Sequence, residues 1–183
     1  MELCEDEDLK LAINLAFSCS LRLGEVLELT WDCINITENA IAAGRASIYI
    51  NKELQRVSRD TLKLLDSKDV ILVFPSLCSK TATQQVLKSP KTASSIRKVF
   101  LPKTVAEMLA TRRAKQLEII DALGDEYRDF GLVMAGPLGM PIEAARINSA
   151  FRKLIEENNL PKVVLQRMHS PSKAVKLKQK QPF

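Results

Sequence analysis

The sequence is poor in the residues that build metal centres and disulfide frameworks. It has one histidine, His169, and four cysteines that lie far apart, with no Cys-x-x-Cys pair among them. Zinc sites use cysteine and histidine at short spacings, and small secreted scaffolds use closely spaced cysteine pairs. The sequence therefore predicts neither a zinc centre nor disulfide bonds, and we expect reduced thiols in a cytoplasmic protein.

Long apolar runs are also missing. No stretch approaches the roughly 20 apolar residues that a membrane-spanning helix needs. The beginning of the sequence, MELCEDED, is acidic and lacks the charged-then-apolar layout of a signal peptide. The chain has 183 residues, of which 46% are hydrophobic and 27% charged. This size and composition predict one globular domain with its own core, away from membranes.

Positive charge is concentrated in two segments rather than spread over the chain. Residues 161–183 hold six basic residues and no acid, and residues 80–115 hold nine basic residues against Glu107 alone. A local charge of +8 in residues 80–115 can be a solvated face. It can equally neutralise several backbone phosphates of a DNA duplex.

Hydrophobic periodicity predicts a mostly helical chain with a few short strands. Turn-forming residues over 88–95 separate two apolar stretches and predict a β-hairpin with arms at 83–87 and 96–101. The segment beyond Ser170 has too few apolar groups to offset the entropy of ordering, and we expect a mobile basic tail. Helices are predicted at 5–18, 23–29, 58–65, 104–123 and 143–157, and Leu117 is among the residues of the fourth helix that are expected to face inward. Extended structure is predicted around Ile34, Ile36 and Ile41, with a turn near residues 38–39, and at 47–50 and 70–74.

The stretch SLRLGEVLELTWD, residues 20–32, contains the strongest motif. Arg22 and Glu25 are three residues apart, a spacing that often makes a structural ion pair on a helix. Arg22 follows a solidly apolar run, so we expect its guanidinium to be at least half-buried and to need an anionic partner. The stretch resembles the first arginine box of the tyrosine recombinases, the phage-integrase family, with serine where that family usually has glycine. The residues that match are Leu21, Arg22, Glu25, Leu29, Trp31 and Asp32.

A second match lies in the predicted hairpin turn. Lys91-Thr92, followed by Ser95 and Arg97, resembles the K-T-x-x-S-x-R arrangement that carries the family's catalytic lysine. The alternative for Lys91 is a turn lysine that faces solvent. The resemblance implies that Arg22 holds a DNA phosphate, that Lys91 protonates the leaving oxygen and that Glu25 orients Arg22. The basic residues expected to contact DNA nearby are Lys88, Arg97, Lys98 and Lys103.

The family's second box is altered in this sequence. The segment VVLQRMH, residues 163–169, has Gln166 where the family has the histidine of its His-x-x-Arg box. Arg167 and His169 are candidate site residues, but their spacing does not match that box. No tyrosine follows Tyr127, although the family's nucleophile is a tyrosine near its C-terminus. The resemblance implies chemistry without a metal or cofactor. It also implies that this chain does not cleave DNA by the family's route.

The resemblance implies an α+β fold, mostly helical with a small antiparallel sheet or hairpin region. We expect residues 1–165 to form an incomplete catalytic domain and 166–183 the tail. Three hypotheses follow: a recombination and DNA-integration domain of a mobile element, a catalytically dead module that binds DNA or an integrase, and a gene fragment without function. The expected partners are double-stranded DNA and an intact integrase or other protomers on the DNA.

Overall fold

The computed structural model describes residues 4–64, 69–76, 82–90 and 95–161. Three of the predicted site residues, Lys91, Arg167 and His169, lie outside these ranges, as does the predicted tail. Within the described ranges the chain forms six α-helices and six strands. The helices are α1 (Glu7–Ser18), α2 (Leu23–Leu27), α3 (Glu38–Ala42), α4 (Arg59–Leu64), α5 (Lys103–Leu123) and α6 (Ala144–Glu157). The strands are β1 (Ile34–Asn35), β2 (Ser47–Ile50), β3 (Glu53–Ser58), β4 (Val70–Val73), β5 (Thr83–Lys88) and β6 (Arg97–Phe100).

The core is built around α1, which packs against α2, α5 and α6. The helix begins where the Asp6 side chain accepts a hydrogen bond from the Leu9 amide at 3.0 Å, which satisfies one of the amides that a helix start leaves without a partner. Full burial of a leucine side chain contributes about 1.5–3 kcal/mol, so this helix anchors the fold. Its buried side chains are Leu9, Leu11, Ala12, Ile13, Leu15 and Ala16.

The predicted long helices are confirmed. The stripe on α6 buries Ile147, Phe151 and Ile155, as its spacing indicates. On α5, however, Leu117 was expected to face the core and is exposed, whereas Gln116 is buried. Gln116 lies inside because its amide donates to the Tyr127 hydroxyl and the Leu132 carbonyl, while Trp31 donates to its oxygen.

The strands form two antiparallel sheets of three strands each within the described ranges. The first has the order β1-β2-β6, and the second has the order β3-β5-β4. In the first sheet the register pairs Ser47 with Phe100 and Ile50 with Arg97. Because directly opposed residues share a face, Ile50 and Arg97 point to one side and Tyr49 and Lys98 to the other.

The predicted hairpin of residues 83–101 is wrong. The two arms exist as β5 and β6, but they belong to different sheets. β5 pairs with β3 on one side and β4 on the other, which buries Val86 and Leu87 at the centre of its sheet. The turn formers between the arms indicate a change of direction, but they do not determine which strand becomes the partner.

A second local prediction also fails. Residues 38–42 were expected to form a turn and an extended segment, and they form α3 instead. Thr37 starts this helix by accepting a hydrogen bond from the Ala40 amide at 3.2 Å.

The predicted fold class is confirmed: a mostly helical α+β arrangement with small antiparallel sheets. None of the described helices is both long enough and apolar enough to cross a membrane.

Candidate functional site

Arg22 lies at the junction between α1 and α2. Ser20 just before it has φ of 55°, in the left-handed region that favours glycine, and Leu21 is completely buried. Arg22 itself is extended and forms the N-cap of α2. The buried leucine and the sharp turn at Ser20 therefore fix the backbone position from which the Arg22 side chain projects.

Glu25 accepts three hydrogen bonds at this junction. Its Oε2 accepts a hydrogen bond from the Arg22 amide at 2.8 Å, and its two oxygens accept from Arg97 at 2.7 and 2.9 Å. Burial raises the pKa of the Glu25 carboxyl, but the hydrogen bonds from Arg97 and the Arg22 amide lower it more, so it lies below the ordinary value. Glu25 is therefore a carboxylate whose charge Arg97 already balances.

The Arg22 guanidinium faces solvent. Its side chain is 73% exposed, and its closest nitrogen lies 4.0 Å from Glu25 Oε1. The expectation of a half-buried guanidinium is wrong, because the buried member of this junction is Glu25 and its close partner is Arg97. The forked donors of Arg22 are thus directed outward rather than consumed by an internal ion pair.

Arg22 stands at the edge of a cleft of about 600 Å³. The cleft is walled by α2, by the chain between β2 and β3, and by the ends of the 89–96 connection. Pro90 and Ser95, the described residues on either side of 91–94, both line it. Its charged lining residues are Arg22, Glu25, Glu28, Lys52 and Glu53.

Glu28 is the most buried acid in this lining, with 6% of its surface exposed. Its Oε2 accepts a hydrogen bond from the Leu54 amide at 3.3 Å. Burial, the largest cause, and the nearby charges of Glu25 and Glu53 together raise the pKa of Glu28 to about 8, although the Leu54 hydrogen bond and Arg97 lower it. Glu28 is therefore largely a neutral carboxylic acid at pH 7.

Lys52 connects the cleft to the end of the arginine motif. Its Nζ donates to the two Asp32 oxygens at 2.8 and 2.6 Å and to Thr30 Oγ1 at 2.6 Å, and it lies 3.0 Å from Cys33 Sγ. Burial lowers the pKa of Lys52, but the contacts with Asp32 and Cys33 raise it above its ordinary value. Asp32, one of the motif residues, thus holds a cation that lines the cleft.

The other basic residues expected at DNA differ in what they contact. Lys88 Nζ lies 3.9 Å from Glu53, and Lys103 Nζ lies 3.8 Å from Glu107. Lys98 Nζ lies 5.2 Å from the centre of the Phe100 ring, on the face of the sheet opposite Arg97. Of the predicted contact residues, Arg97 is the one that the fold brings to the Arg22 junction.

Sequence reasoning missed Glu28, Lys52 and Glu53. Each reaches the cleft through a contact between segments that are distant in sequence, and the bond between Glu28 and Leu54 spans 26 positions. A weak signal exists for Lys52, because Asp32 in the motif is an acid with which a cation can pair. Nothing in the local sequence distinguishes Glu28 from a surface glutamate on an amphipathic helix.

Comparison with known proteins gives one curated relative and a set of similar solved structures. A XerC-like tyrosine recombinase from Caldanaerobacter subterraneus subsp. tengcongensis is 25% identical over 156 residues. The Tn1549 transposon integrase in complex with transposon right end DNA superposes with a TM-score of 0.59 and 16% identity, over 89% of this chain. The resemblance to the tyrosine recombinases is confirmed. No family model matches the chain.

A second structure of the Tn1549 integrase, in complex with circular intermediate DNA, has a TM-score of 0.56 and 18% identity over 85% of this chain. The chain therefore has the α+β fold of an integrase catalytic domain. The curated match covers 84% of this chain but 34% of the XerC-like relative, and the two structural matches cover 44% and 42% of the integrase chains. The chain thus spans less than half the length of each of these proteins.

Proposed function

We propose that the cleft at Arg22 binds a backbone phosphate of duplex DNA, as part of a recombination domain of the tyrosine recombinase type. The observation that carries this proposal is the contrast between Arg22 and Glu25. The carboxylate that could neutralise Arg22 is held by Arg97 at 2.7 and 2.9 Å, and the Arg22 side chain is 73% exposed at the edge of the cleft. A forked guanidinium suits two phosphate oxygens at once.

Glu25 acts on Arg22 through the backbone in this proposal. Its carboxylate accepts the Arg22 amide at 2.8 Å, while the guanidinium is 4.0 Å away. The interaction fixes the start of α2, so the long side chain leaves the junction from a defined point. Positioning of this kind reduces the entropy lost when the guanidinium binds a phosphate.

Lys91 is proposed as the second basic group of the site. Residues 91–94 lie outside the described ranges, but Pro90 and Ser95 on either side both line the Arg22 cleft. The chain therefore leaves and rejoins the described part at this cleft. The resemblance implies that a lysine here protonates the oxygen that leaves the phosphate, because an alkoxide is a poor leaving group. Arg167 and His169 remain candidates for the second phosphate clamp.

Neither tyrosine of the chain supports strand cleavage by these residues alone. Tyr127 is 8% exposed, and its hydroxyl accepts a hydrogen bond from Gln116. Tyr49 lies on β2, next to the cleft residue Ile50 but on the opposite face of the sheet. We therefore propose binding as the activity of these residues. In this proposal a tyrosine that cleaves DNA lies outside residues 1–183, for example on an intact integrase bound to the same DNA.

A mobility-shift titration with duplex DNA tests the proposal. We expect Arg22→Ala to weaken binding about tenfold and to reduce the slope of affinity against salt by about one phosphate contact. Arg152→Ala is the matched control, because Arg152 is an exposed arginine on α6 that does not line the cleft. Equal affinity and equal salt slope for the two variants would contradict a phosphate site at Arg22.

A further inference from the structure

Glu28 is an almost fully buried acid in the wall of the Arg22 cleft, and its nearest acidic neighbours are Glu25 and Glu53. It lies one helical turn from Glu25 and lines the same cleft as Arg22. Its Oε2 is held by the Leu54 amide at 3.3 Å, and no described residue forms a hydrogen bond with its Oε1. Oε1 is therefore the oxygen that carries the proton, and it is available as an O–H donor.

The charged groups around Glu28 do not compensate a negative charge there. On α2 its neighbour is Glu25, and on β3 it is Glu53; both are acidic. Arg97 on β6 faces it as well, but both terminal nitrogens of that guanidinium bind Glu25. Lys52, which also lines the cleft, donates to Asp32. Ionising Glu28 would thus add a third carboxylate whose charge no nearby cation balances.

We propose that Glu28 is a further residue of the phosphate site, one that donates a hydrogen bond to the bound phosphate as a neutral acid and repels it as a carboxylate. This inference rests on the proposed function of the Arg22 cleft. The chemical class of ligand is a phosphodiester of the DNA backbone, whose oxygens accept from both the Arg22 guanidinium and the Glu28 hydroxyl. No such role follows for an exposed glutamate, which is charged at neutral pH.

The size of the effect follows from the charges involved. At hydrogen-bond distance a carboxylate and a phosphate repel each other, and the repulsion that remains after screening by solvent and salt should change the affinity roughly tenfold. Burial together with Glu25 and Glu53 raises the pKa of Glu28 to about 8. The affinity for DNA should therefore fall as pH rises from 7 to 9, below the range in which lysines lose their charge.

The experiment is a fluorescence-anisotropy titration of the full chain with duplex DNA at constant ionic strength between pH 6.5 and 9. We expect the affinity of the wild-type chain to fall about tenfold between pH 7 and 9. Glu28→Gln should bind equally well across the range, because its amide keeps a donor and an acceptor. Glu118→Gln, which changes an exposed glutamate on α5 outside the cleft, should follow the wild-type profile.

Glu28→Met separates the hydrogen bond from the charge. It should show no pH dependence and should bind several-fold more weakly than Glu28→Gln at pH 7, because it has no donor. The inference is overturned if Glu28→Gln and Glu28→Met lose affinity with pH in parallel with the wild type, or if the two bind equally. If wild-type binding does not depend on Arg22 at all, the proposed function fails instead. Circular dichroism at each pH confirms that every variant is folded.

Discussion

The ion pair between Glu25 and Arg97 should be the most stabilising interaction between charged side chains at the site. We consider Arg97→Gln, which removes the guanidinium and leaves the Glu25 carboxylate in a pocket where its side chain is 12% exposed. That carboxylate would keep the Arg22 amide as a donor but would lose both bonds from Arg97. A charge left without its partner in such a place is costly.

The loss of unfolding free energy in Arg97→Gln lies between two limits. Exposed ion pairs contribute about 0–1 kcal/mol, and breaking a fully buried pair costs about 3–5 kcal/mol. Because Arg97 is 37% exposed, solvent screens part of the interaction. We therefore expect Arg97→Gln to lower the free energy of unfolding by about 2–3 kcal/mol at pH 7. Glu25→Gln/Arg97→Gln should be more stable than Arg97→Gln, since the double variant no longer contains the uncompensated carboxylate.

Urea unfolding at pH 7 measures these values in a double-mutant cycle. Lys153 and Glu157 on α6 provide the matched control, because their side chains are 74% and 60% exposed at 3.6 Å and should couple by less than about 0.5 kcal/mol. The Glu25 pKa is depressed in the folded chain, so the contribution of the pair is present above pH 4.5 and is lost as pH falls through the folded pKa. Equal coupling energies for the two pairs, or a double variant no more stable than Arg97→Gln, would refute this reasoning.

Three further predictions concern stability. Ser20→Gly should raise the free energy of unfolding by about 1 kcal/mol, because φ of 55° is strained for serine and not for glycine. Gly139→Ala should lower it by about 2–4 kcal/mol, because φ is 82° and the new Cβ would lie 2.0 Å from the Arg128 carbonyl oxygen. Glu28 should lower the free energy of unfolding by about 1.4 kcal/mol for each pH unit as pH rises from 4.5, its ordinary pKa, to about 8, its pKa in the folded chain. In this range the folded state keeps the proton and the unfolded state loses it. Glu28→Gln should remove this slope.

Thermal and urea unfolding check all three. Ser18→Gly is the control for Ser20, because residue 18 ends α1 in helical backbone and glycine should destabilise it. Gly24→Ala is the control for Gly139, because a Cβ at position 24 meets nothing within 4 Å and the change should be neutral or stabilising. A stabilising Ser18→Gly, a neutral Gly139→Ala or an unchanged pH slope in Glu28→Gln would each show that the local argument is wrong.

Local sequence patterns predicted the helices that pack the core. In α1 and α6 the apolar residues recur every three or four positions, and this spacing by itself produces a buried stripe. The junction that holds Arg22 was equally predictable, since the motif lies directly after such a helix. The sequence also shows that Ser20 stands where tyrosine recombinases usually have glycine. That Ser20 adopts a left-handed conformation is visible only in the structure.

The strand pairing and the charges of the cleft were not predictable in the same way. β5 is paired with β3, a strand that the sequence did not indicate, and not with β6. The partner of Glu25 is 72 positions away, which no helical spacing reveals. Arg22 was expected to be at least half-buried because it follows an apolar run, with Glu25 as its nearest possible partner. Only the fold brings Arg97 to that carboxylate instead.

A titration with chemically neutralised DNA tests the central claim, that Arg22 contacts a phosphate, most directly. Methylphosphonate groups would replace single phosphates along the duplex, and affinities would be measured for the wild type, Arg22→Ala and Arg152→Ala. We predict one or a few positions at which neutralisation weakens wild-type and Arg152→Ala binding about tenfold but leaves Arg22→Ala unaffected. If Arg22→Ala is as sensitive as the wild type at every position, Arg22 does not bind a phosphate.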